Sequence, residues 1–333
     1  MKVDSHIHLE EGPYTHKEVA KITQSLEHFA PLKAKRHTKE WFTDMLTQVQ
    51  QRMEKTEYSE WWLDFYLERA KQRDLKVVGI VDHLYRFTET RDYFEQYIDV
   101  ESEEIGVAQQ HWLDCVMTHS LPEFVDFIEG QKEKWNAHGI ELKLGIEADY
   151  FVGGEAQLQA LLQPYPFDYV IGSVHFYDGW GFDNPGLQSK FQAYDLLDLY
   201  KNHFETVKKA AASGLFDIIA HLDNLKVFNH RPDEALLSDI YLAVAQALKE
   251  ANVATEINPG LYYRYPVQEM CPSDAFLDIL AAEGVVFTTS SDSHFPHDIG
   301  IFADHIQARL KEREIYEIAV FDKRVRKLVS IED

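Results

Sequence analysis

The residues most able to do chemistry begin at His6-Ile7-His8. Side chains alternate across an extended strand, so both imidazoles project from one face, the arrangement a metal ion needs from two ligands. Asp292-Ser293-His294 repeats the spacing far along the chain and pairs a carboxylate with an imidazole. Between them stand Asp82-His83, Glu147 in Gly145-Ile146-Glu147-Ala148-Asp149, His175 after Ile171-Gly172-Ser173-Val174, and His221 after Ile218-Ile219-Ala220. A carboxylate ending an apolar run is costly unless paired or metal-bound. Singly, each residue has a plain alternative: a core histidine bonded to backbone, or an ion pair. Together, at the ends of so many apolar runs, they are hard to explain as packing. Mixed imidazole and carboxylate donors suit zinc, manganese or iron. This many donors implies two or three divalent transition-metal ions. Closely spaced ions generate a nucleophile at neutral pH and clamp the leaving group of a phosphoester.

Something must bring these scattered residues together. Seven short apolar runs precede them: Val3 to Ile7, Lys76 to Val81, Leu142 to Ile146, Tyr169 to Val174, Phe216 to Ala220, Val253 to Ile257 and Val285 to Thr289. Runs of this kind suit parallel strands buried on both faces. Six of the seven end in or run straight into a metal-capable residue; the remaining one ends at Glu256-Ile257-Asn258-Pro259. Helical spacing fills several of the gaps, with Leu196, Leu197, Tyr200, Phe204 and Val207 on one stripe and Ile240, Ala243, Val244, Ala247 and Leu248 on another. Pro272-Ser273-Asp274 reads as the capped start of a helix. Alternating strands and helices predict a β/α barrel, whose strand ends converge on one face. A doubly wound open sheet would not gather so many. Residues 17–75 and 84–140 break the alternation and read as helical insertions, either a lid or dimer surface or ordinary barrel-covering helices. With no repeat or low-complexity linker, residues 1–333 are expected to form one domain.

Composition narrows the function. The chain has 333 residues, 45% of them hydrophobic, and a formal net charge of -23. That charge repels phosphate backbones and argues against nucleic-acid binding. Two cysteines imply no disulfide framework. The opening residues show no apolar signal stretch, and no run approaches the length of a membrane span. A cytoplasmic protein without membrane contact is expected; the oligomeric state is not legible.

As a set, these motifs resemble the polymerase and histidinol phosphatase (PHP) family: an opening His-x-His, a strand ending in Asp-His, a strand ending in Glu, then Ser-Val-His, a His-x-Asp segment and Ser-Asp-x-His, all in order from His6 to His294. Three further stretches are similar to the histidinol-phosphatase branch. They are Gly172 through Asp183, Ala220 through Phe228 and Asn258-Pro259-Gly260-Leu261-Tyr262-Tyr263-Arg264. The resemblance implies a distorted seven-stranded barrel and a trinuclear cluster. It implies that His6, His8, Glu147 and Asp292 hold one ion, that Glu147, His175 and His221 hold a second, and that His83 and His294 hold a third. The family's remaining ligand falls here on Tyr14, a poor donor; Glu11 or His16 is the substitute, with Glu11 preferred. The implied reaction is hydrolysis of histidinol phosphate, late in histidine biosynthesis. Glu147, Asp292 and His175 are the residues on which turnover is expected to depend. Lys226, Arg264 and Arg86 are candidate phosphate anchors, and Trp180, with Tyr177 and Phe182, a candidate wall for the organic half. Their plain alternatives are surface cations and packing aromatics. Competing readings are a phosphatase of another small phosphorylated metabolite, such as a nucleotide, and a non-catalytic metal-binding regulator.

Overall fold

The computed structural model describes residues 1–10, 12 and 14–332. The apolar runs form β1 (Lys2–Ile7), β2 (Leu75–Ile80), β3 (Glu141–Asp149) and β4 (Tyr169–Ser173). A short antiparallel ribbon follows, β5 (Phe176–Tyr177) with β6 (Trp180–Gly181). Then come β7 (Ile218–Ile219), β8 (Ala254–Ile257) and β9 (Phe287–Thr289). The sheet runs β1-β2-β3-β4-β7-β8-β9, with every neighbouring pair parallel. It closes on itself: Ile7 and Ser293 form a parallel bridge, and the Asp292 and His8 amides donate to His6 O at 2.9 Å and Ser293 O at 2.8 Å. Below that bridge hydroxyls hold the seam, with Thr289 Oγ1 donating to Val3 O at 2.7 Å and Ser5 Oγ 2.9 Å from Thr288 Oγ1. The result is the expected seven-stranded β/α barrel. The run at Phe216 to Ala220 pairs over only two residues, because the Asp217 carboxylate takes the Val170 amide at 2.8 Å beside the ladder.

The β1–β2 connection holds α1 (His16–Phe29), α2 (Lys39–Lys55) and α3 (Glu60–Gln72). The β2–β3 connection holds α4 (Arg91–Tyr97), α5 (Ile105–Val116) and α6 (Leu121–Asn136). Trp62, Leu63 and Tyr66 of α3, and Phe124, Ile128 and Trp135 of α6, are buried. These two helices pack on the barrel. The Tyr66 hydroxyl even donates to His8 O at 3.1 Å, so α3 braces the end of β1. After β3 comes α7 (Glu155–Leu162), and after the ribbon α8 (Leu196–Ala212), capped by the Asp195 carboxylate. Then follow α9 (Ser238–Ala251), α10 (Gly260–Arg264) and α11 (Asp274–Ala282). Ser273 Oγ caps α11 by accepting from the Phe276 amide at 3.2 Å, as its sequence predicts. Finally α12 (Ala303–Lys311) leads to the hairpin β10 (Glu317–Asp322) and β11 (Val325–Ser330). Among the described residues no helix is long and apolar enough to cross a membrane.

Inside the barrel, Ala319 and Phe321 of β10 pack with Val81, Tyr169, Ile171, Ile218 and Ala254. The Tyr169 hydroxyl crosses this interior from β4 to donate to Ser5 O of β1 at 2.7 Å. It fits only because β2 offers Gly79: a Cβ there would lie 1.6 Å from Tyr169 Oη. Overpacking of this kind typically costs about 1–3 kcal/mol. Gly79→Ala is therefore expected to lower Tm. Tyr169→Phe also loses a buried hydrogen bond, at about 1 kcal/mol. Combining the two should destabilise by less than the sum, because the clashing atom is gone. Additive single and double variants in urea unfolding would rule out the proposed contact.

Candidate metal centre

The donor residues converge where the parallel strands end, at the face on which β/α barrels build their sites. Glu147, on β3 and 1% exposed, stands at the middle. Its Oε2 lies 3.0 Å from His6 Nε2, 3.4 Å from His8 Nε2 and 3.0 Å from His83 Nε2. Its Oε1 lies 3.1 Å from His221 Nε2 and 3.6 Å from His175 Nε2. One carboxylate thus divides its two oxygens between two imidazole sets. Asp292 Oδ1 is 3.6 Å from His8 Nε2 and 3.5 Å from His294 Nε2. The His8 ring stacks against both His83 and His294, with ring centroids at 4.2 and 4.4 Å. Among the described residues four donor triads have the spacing to hold a metal ion: His6-His8-Asp292, His8-Glu10-His294, His8-His83-Glu147 and Glu147-His175-His221.

The hydrogen bonds behind these donors show what they are built to face. His6 Nδ1 donates to Glu256 at 3.0 Å, and His175 Nδ1 to Asp149 at 2.9 Å. With Nδ1 holding the proton, a neutral ring presents a bare lone pair at Nε2. Yet His6 Nε2 sits 3.0 Å from His8 Nε2, and His175 Nε2 sits 3.2 Å from His221 Nε2. Nitrogens this close to one another and to the Glu147 oxygens need a proton or a metal cation between them. Carboxylates behind imidazoles are the usual support of metal-binding histidines. The residues present therefore fit a cluster of divalent cations.

The acid groups agree. Burial opposes the Glu147 charge, but the His83 and His6 imidazoles hold its carboxyl well below the usual range. Burial likewise opposes ionisation of Asp292, and Arg264, its Nη2 2.6 Å from Asp292 Oδ2, overcomes it. Against burial, Glu256 and Asp149 raise the basicity of His6 and His175, the latter to about 10. The site draws in positive charge, and protons compete with metal for it.

Glu11 lies outside the described residues, and His16 is exposed at the start of α1. Among the described residues the neighbouring Glu10 has ligand spacing with His8 and His294. Its carboxylate accepts from the His83 amide at 2.8 Å and from His83 Nδ1 at 2.6 Å, and lies 3.7 Å from His294 Nδ1. Asp82 fixes it by accepting from the Leu9 amide and the Tyr58 hydroxyl, both at 2.7 Å. The signal was available: Glu10 continues the period of two begun by His6 and His8. The same period links Glu147 to Asp149 and Glu256 to Asn258, so the orienting carboxylates were legible too.

Two adjoining cavities open over the donors. The inner one, about 110 Å³, reaches Glu147, His221, Asp292 and His294 and is edged by Arg264 and Asn258. The outer one, about 220 Å³, is walled by Tyr85, Trp112, Phe176 and Tyr265. His83, His175 and Asp183 belong to both. Three expected contacts are corrected here. Lys226 is buried, and its ammonium is committed to Asp223 at 2.7 Å, Glu269 at 2.9 Å and Met270 O at 2.8 Å. Arg86 is 1% exposed and lies behind Glu10, whose charge raises its pKa against burial. Trp180 is buried among Phe182, Phe191 and Tyr194. None of the three lines either cavity. Arg264 does, as the one Lys or Arg among the described lining residues.

Two substitutions check this division of labour. Glu256→Gln keeps every inner donor but weakens the support of His6, and is expected to lower metal affinity about 10- to 100-fold. Competition with a chromogenic chelator reads this directly; unchanged retention would deny Glu256 that role. Lys226→Met leaves Asp223 buried without its cation, at a cost of about 3–5 kcal/mol. A lowered Tm is expected, whereas an intact Tm with a raised KM would return Lys226 to the substrate.

Comparison with known proteins adds an independent line. A family model described as PHP domain matches residues 55–260. The probable histidinol-phosphatase of Deinococcus radiodurans is 34% identical over 200 residues, 59% of this chain and 75% of that protein. The histidinol-phosphatase of Lactococcus lactis subsp. lactis is 24% identical over 215 residues, covering 61% and 76%. Among solved structures, histidinol phosphate phosphatase from Lactococcus lactis, complexed with zinc, L-histidinol and phosphate, superposes with a TM-score of 0.62 at 16% identity, covering 98% of both chains.

Proposed function

This chain belongs to the PHP domain family, and from that premise we propose that it is a metal-dependent phosphatase that hydrolyses histidinol phosphate, a step of histidine biosynthesis. The observation carrying the metal part is the convergence of five imidazole Nε2 atoms on the two oxygens of buried Glu147, with His6 and His175 each backed by a carboxylate. The substrate rests on the 34% identical relative and on the aromatic cavity beside the donors. Zinc is the first metal to test, since the Lactococcus protein was solved with it.

Bound divalent ions activate water near neutral pH and neutralise charge on the phosphoryl group in flight. The chain's own residues do the rest. Glu147 shares its oxygens between the His6-His8-His83 and His175-His221 sets and so fixes their spacing. Asp292 stays ionised beside Arg264 and keeps an oxygen toward His8 and His294. His175 keeps its Nδ1 proton on Asp149, which aims Nε2 inward. Arg264, held by Asp292 at the cavity edge, is the guanidinium placed for a phosphate oxygen. The outer aromatic cavity receives the alcohol half.

Purified protein is expected to carry at least two divalent ions per chain, and chelation to abolish turnover that added zinc or manganese restores. Glu147→Gln and Asp292→Asn should each cut kcat by about a hundredfold or more. Arg264→Ala removes a charge-assisted hydrogen bond of about 1.5–3 kcal/mol and should raise KM about ten- to a hundredfold. Metal content is measured on the same samples, because Arg264 also steadies Asp292. In a panel of phosphorylated metabolites, histidinol phosphate should give the highest kcat/KM. A nucleotide cleaved tenfold better would reassign the substrate, and full metal content with no hydrolysis of any ester would leave a non-catalytic metal-binding regulator.

A further inference from the structure

The donor cluster and Arg264 account for the phosphate end of a substrate. They leave one ionisable side chain unexplained. Asp183 lines both cavities, at the junction between the donor floor and the aromatic chamber. It is partly buried, and among the described residues no hydrogen bond or ion pair engages its carboxylate. Every other acid at the site has a task. Glu147, Asp292 and Glu10 face imidazoles, and Glu256 and Asp149 orient them. A carboxylate set in the wall of a cavity with no partner of its own is free to pair with a ligand's cation.

Its position is not accidental slack in a loop. The Phe182 amide donates to His175 O at 3.1 Å, tying the residue before Asp183 to a donor strand. Gln109 clamps the ribbon from behind, accepting from the Gly181 amide at 2.7 Å and donating to Gly179 O at 2.8 Å. These bonds hold the backbone on both sides of β6 and present Asp183 to the cavity. Around it the outer chamber offers the faces and edges of Tyr85, Trp112, Phe176 and Tyr265, with Tyr85 and Trp112 in edge contact at 4.8 Å. An acid among aromatic rings is the recognition chemistry of an organic cation, which gains both a charge-assisted hydrogen bond and attraction to the ring faces. No lysine or arginine among the described lining residues of the outer chamber competes for it.

We propose that Asp183 is the specificity-determining residue of the site, binding a protonated nitrogen on the alcohol half of the substrate, so that the enzyme selects phosphomonoesters of cationic amino alcohols over neutral or acidic ones. This rests on the phosphatase reading but not on histidinol as the particular alcohol. The substrate lies with its phosphate under Arg264 and over the donors, and its cation reaches outward to Asp183. Asp183 does not take part in bond cleavage; it sets which esters are held in register for it.

The test compares kcat/KM of the metal-loaded enzyme for cationic esters (histidinol phosphate and ethanolamine phosphate), a neutral one (glycerol 3-phosphate) and an acidic one (3-phosphoglycerate). Wild type should rank them in that order by charge. Asp183→Asn should shrink the cationic-to-neutral ratio at least about tenfold, the loss of one charge-assisted contact, and Asp183→Glu should restore part of it. Using ratios cancels any common loss from altered folding or metal content. If the ratio in Asp183→Asn equals that of wild type, or if wild type shows no preference for cationic esters, the assignment is overturned. If ethanolamine phosphate is selected through Asp183 while histidinol phosphate is not cleaved, the inference stands and the histidinol reading fails. If no ester is cleaved, the phosphatase reading itself fails. Titration of L-histidinol into the metal-loaded protein then decides the inference alone: binding weakened at least tenfold by Asp183→Asn supports it, and binding unaffected by the substitution overturns it.

Discussion

A carboxylate cannot remain charged in the closed interior of a barrel without positive charge beside it. Glu147 is almost wholly enclosed, and its two oxygens meet five imidazole nitrogens within 3.6 Å. Three of those imidazoles, on His83, His175 and His6, are supported in turn by Glu10, Asp149 and Glu256. Each acid that orients a histidine adds negative charge to the same enclosed volume. The arrangement therefore deepens its own demand for cations as it becomes better organised. Parallel strands suit this, because their ends point to one place and each needs to bring only one or two residues. The closing contacts between Asp292 and His6, and between His8 and Ser293, show the same economy: the backbone bonds that seal the barrel belong to residues that carry donors.

Backbone geometry at two donor positions is unusual. His221 and Asp292 have φ of 22° and 51°, a region that L side chains seldom enter. Such residues persist where the surroundings over-determine them. For His221 the Glu256 carboxylate holds the amide at 3.2 Å. For Asp292 the restraint is threefold: its amide goes to His6 O, and its carboxylate to Arg264 and Asn258. Gly260 belongs to this lock, since a Cβ there would lie 2.4 Å from Asp292 Oδ2 and 2.6 Å from Arg264 Nη2. The strain is local and sits where a side chain must turn inward from the end of a strand.

Much of this was legible in the sequence. Period-two spacing and apolar runs were enough to place the seven strands and to gather His6, His8, His83, Glu147, His175, His221, Asp292 and His294. Sequence reading missed Glu10, although it lies on the same alternating face as His6 and His8; Glu11 lies outside the described residues. The reading failed differently for Lys226 and Arg86. Their loops follow donor strands, and nothing in a local motif reveals that Asp223, Glu269 and a backbone carbonyl would absorb one ammonium, or that Glu10 would sit before the other cation. Trp180 shows the same limit for apolar groups: an aromatic in the right loop can face the core as easily as the cavity. Cavity lining is a tertiary property, decided by which of several neighbouring rings the ribbon turns outward.

The fate of the cations bears on how the site can work. The chain carries 33 lysines and arginines against 56 acids. Of those cations, only Arg264 lines the two cavities among the described residues, and it already shares its charge with Asp292. A phosphate monoester brings close to two negative charges into a space bounded by Glu147, Asp183 and Asp292. One guanidinium does not offset that, and the net charge of -23 raises the potential it must overcome. The balance therefore has to come from the cations held by the donor cluster. Metal and phosphate binding are thus linked in this fold by charge alone, before any question of chemistry arises.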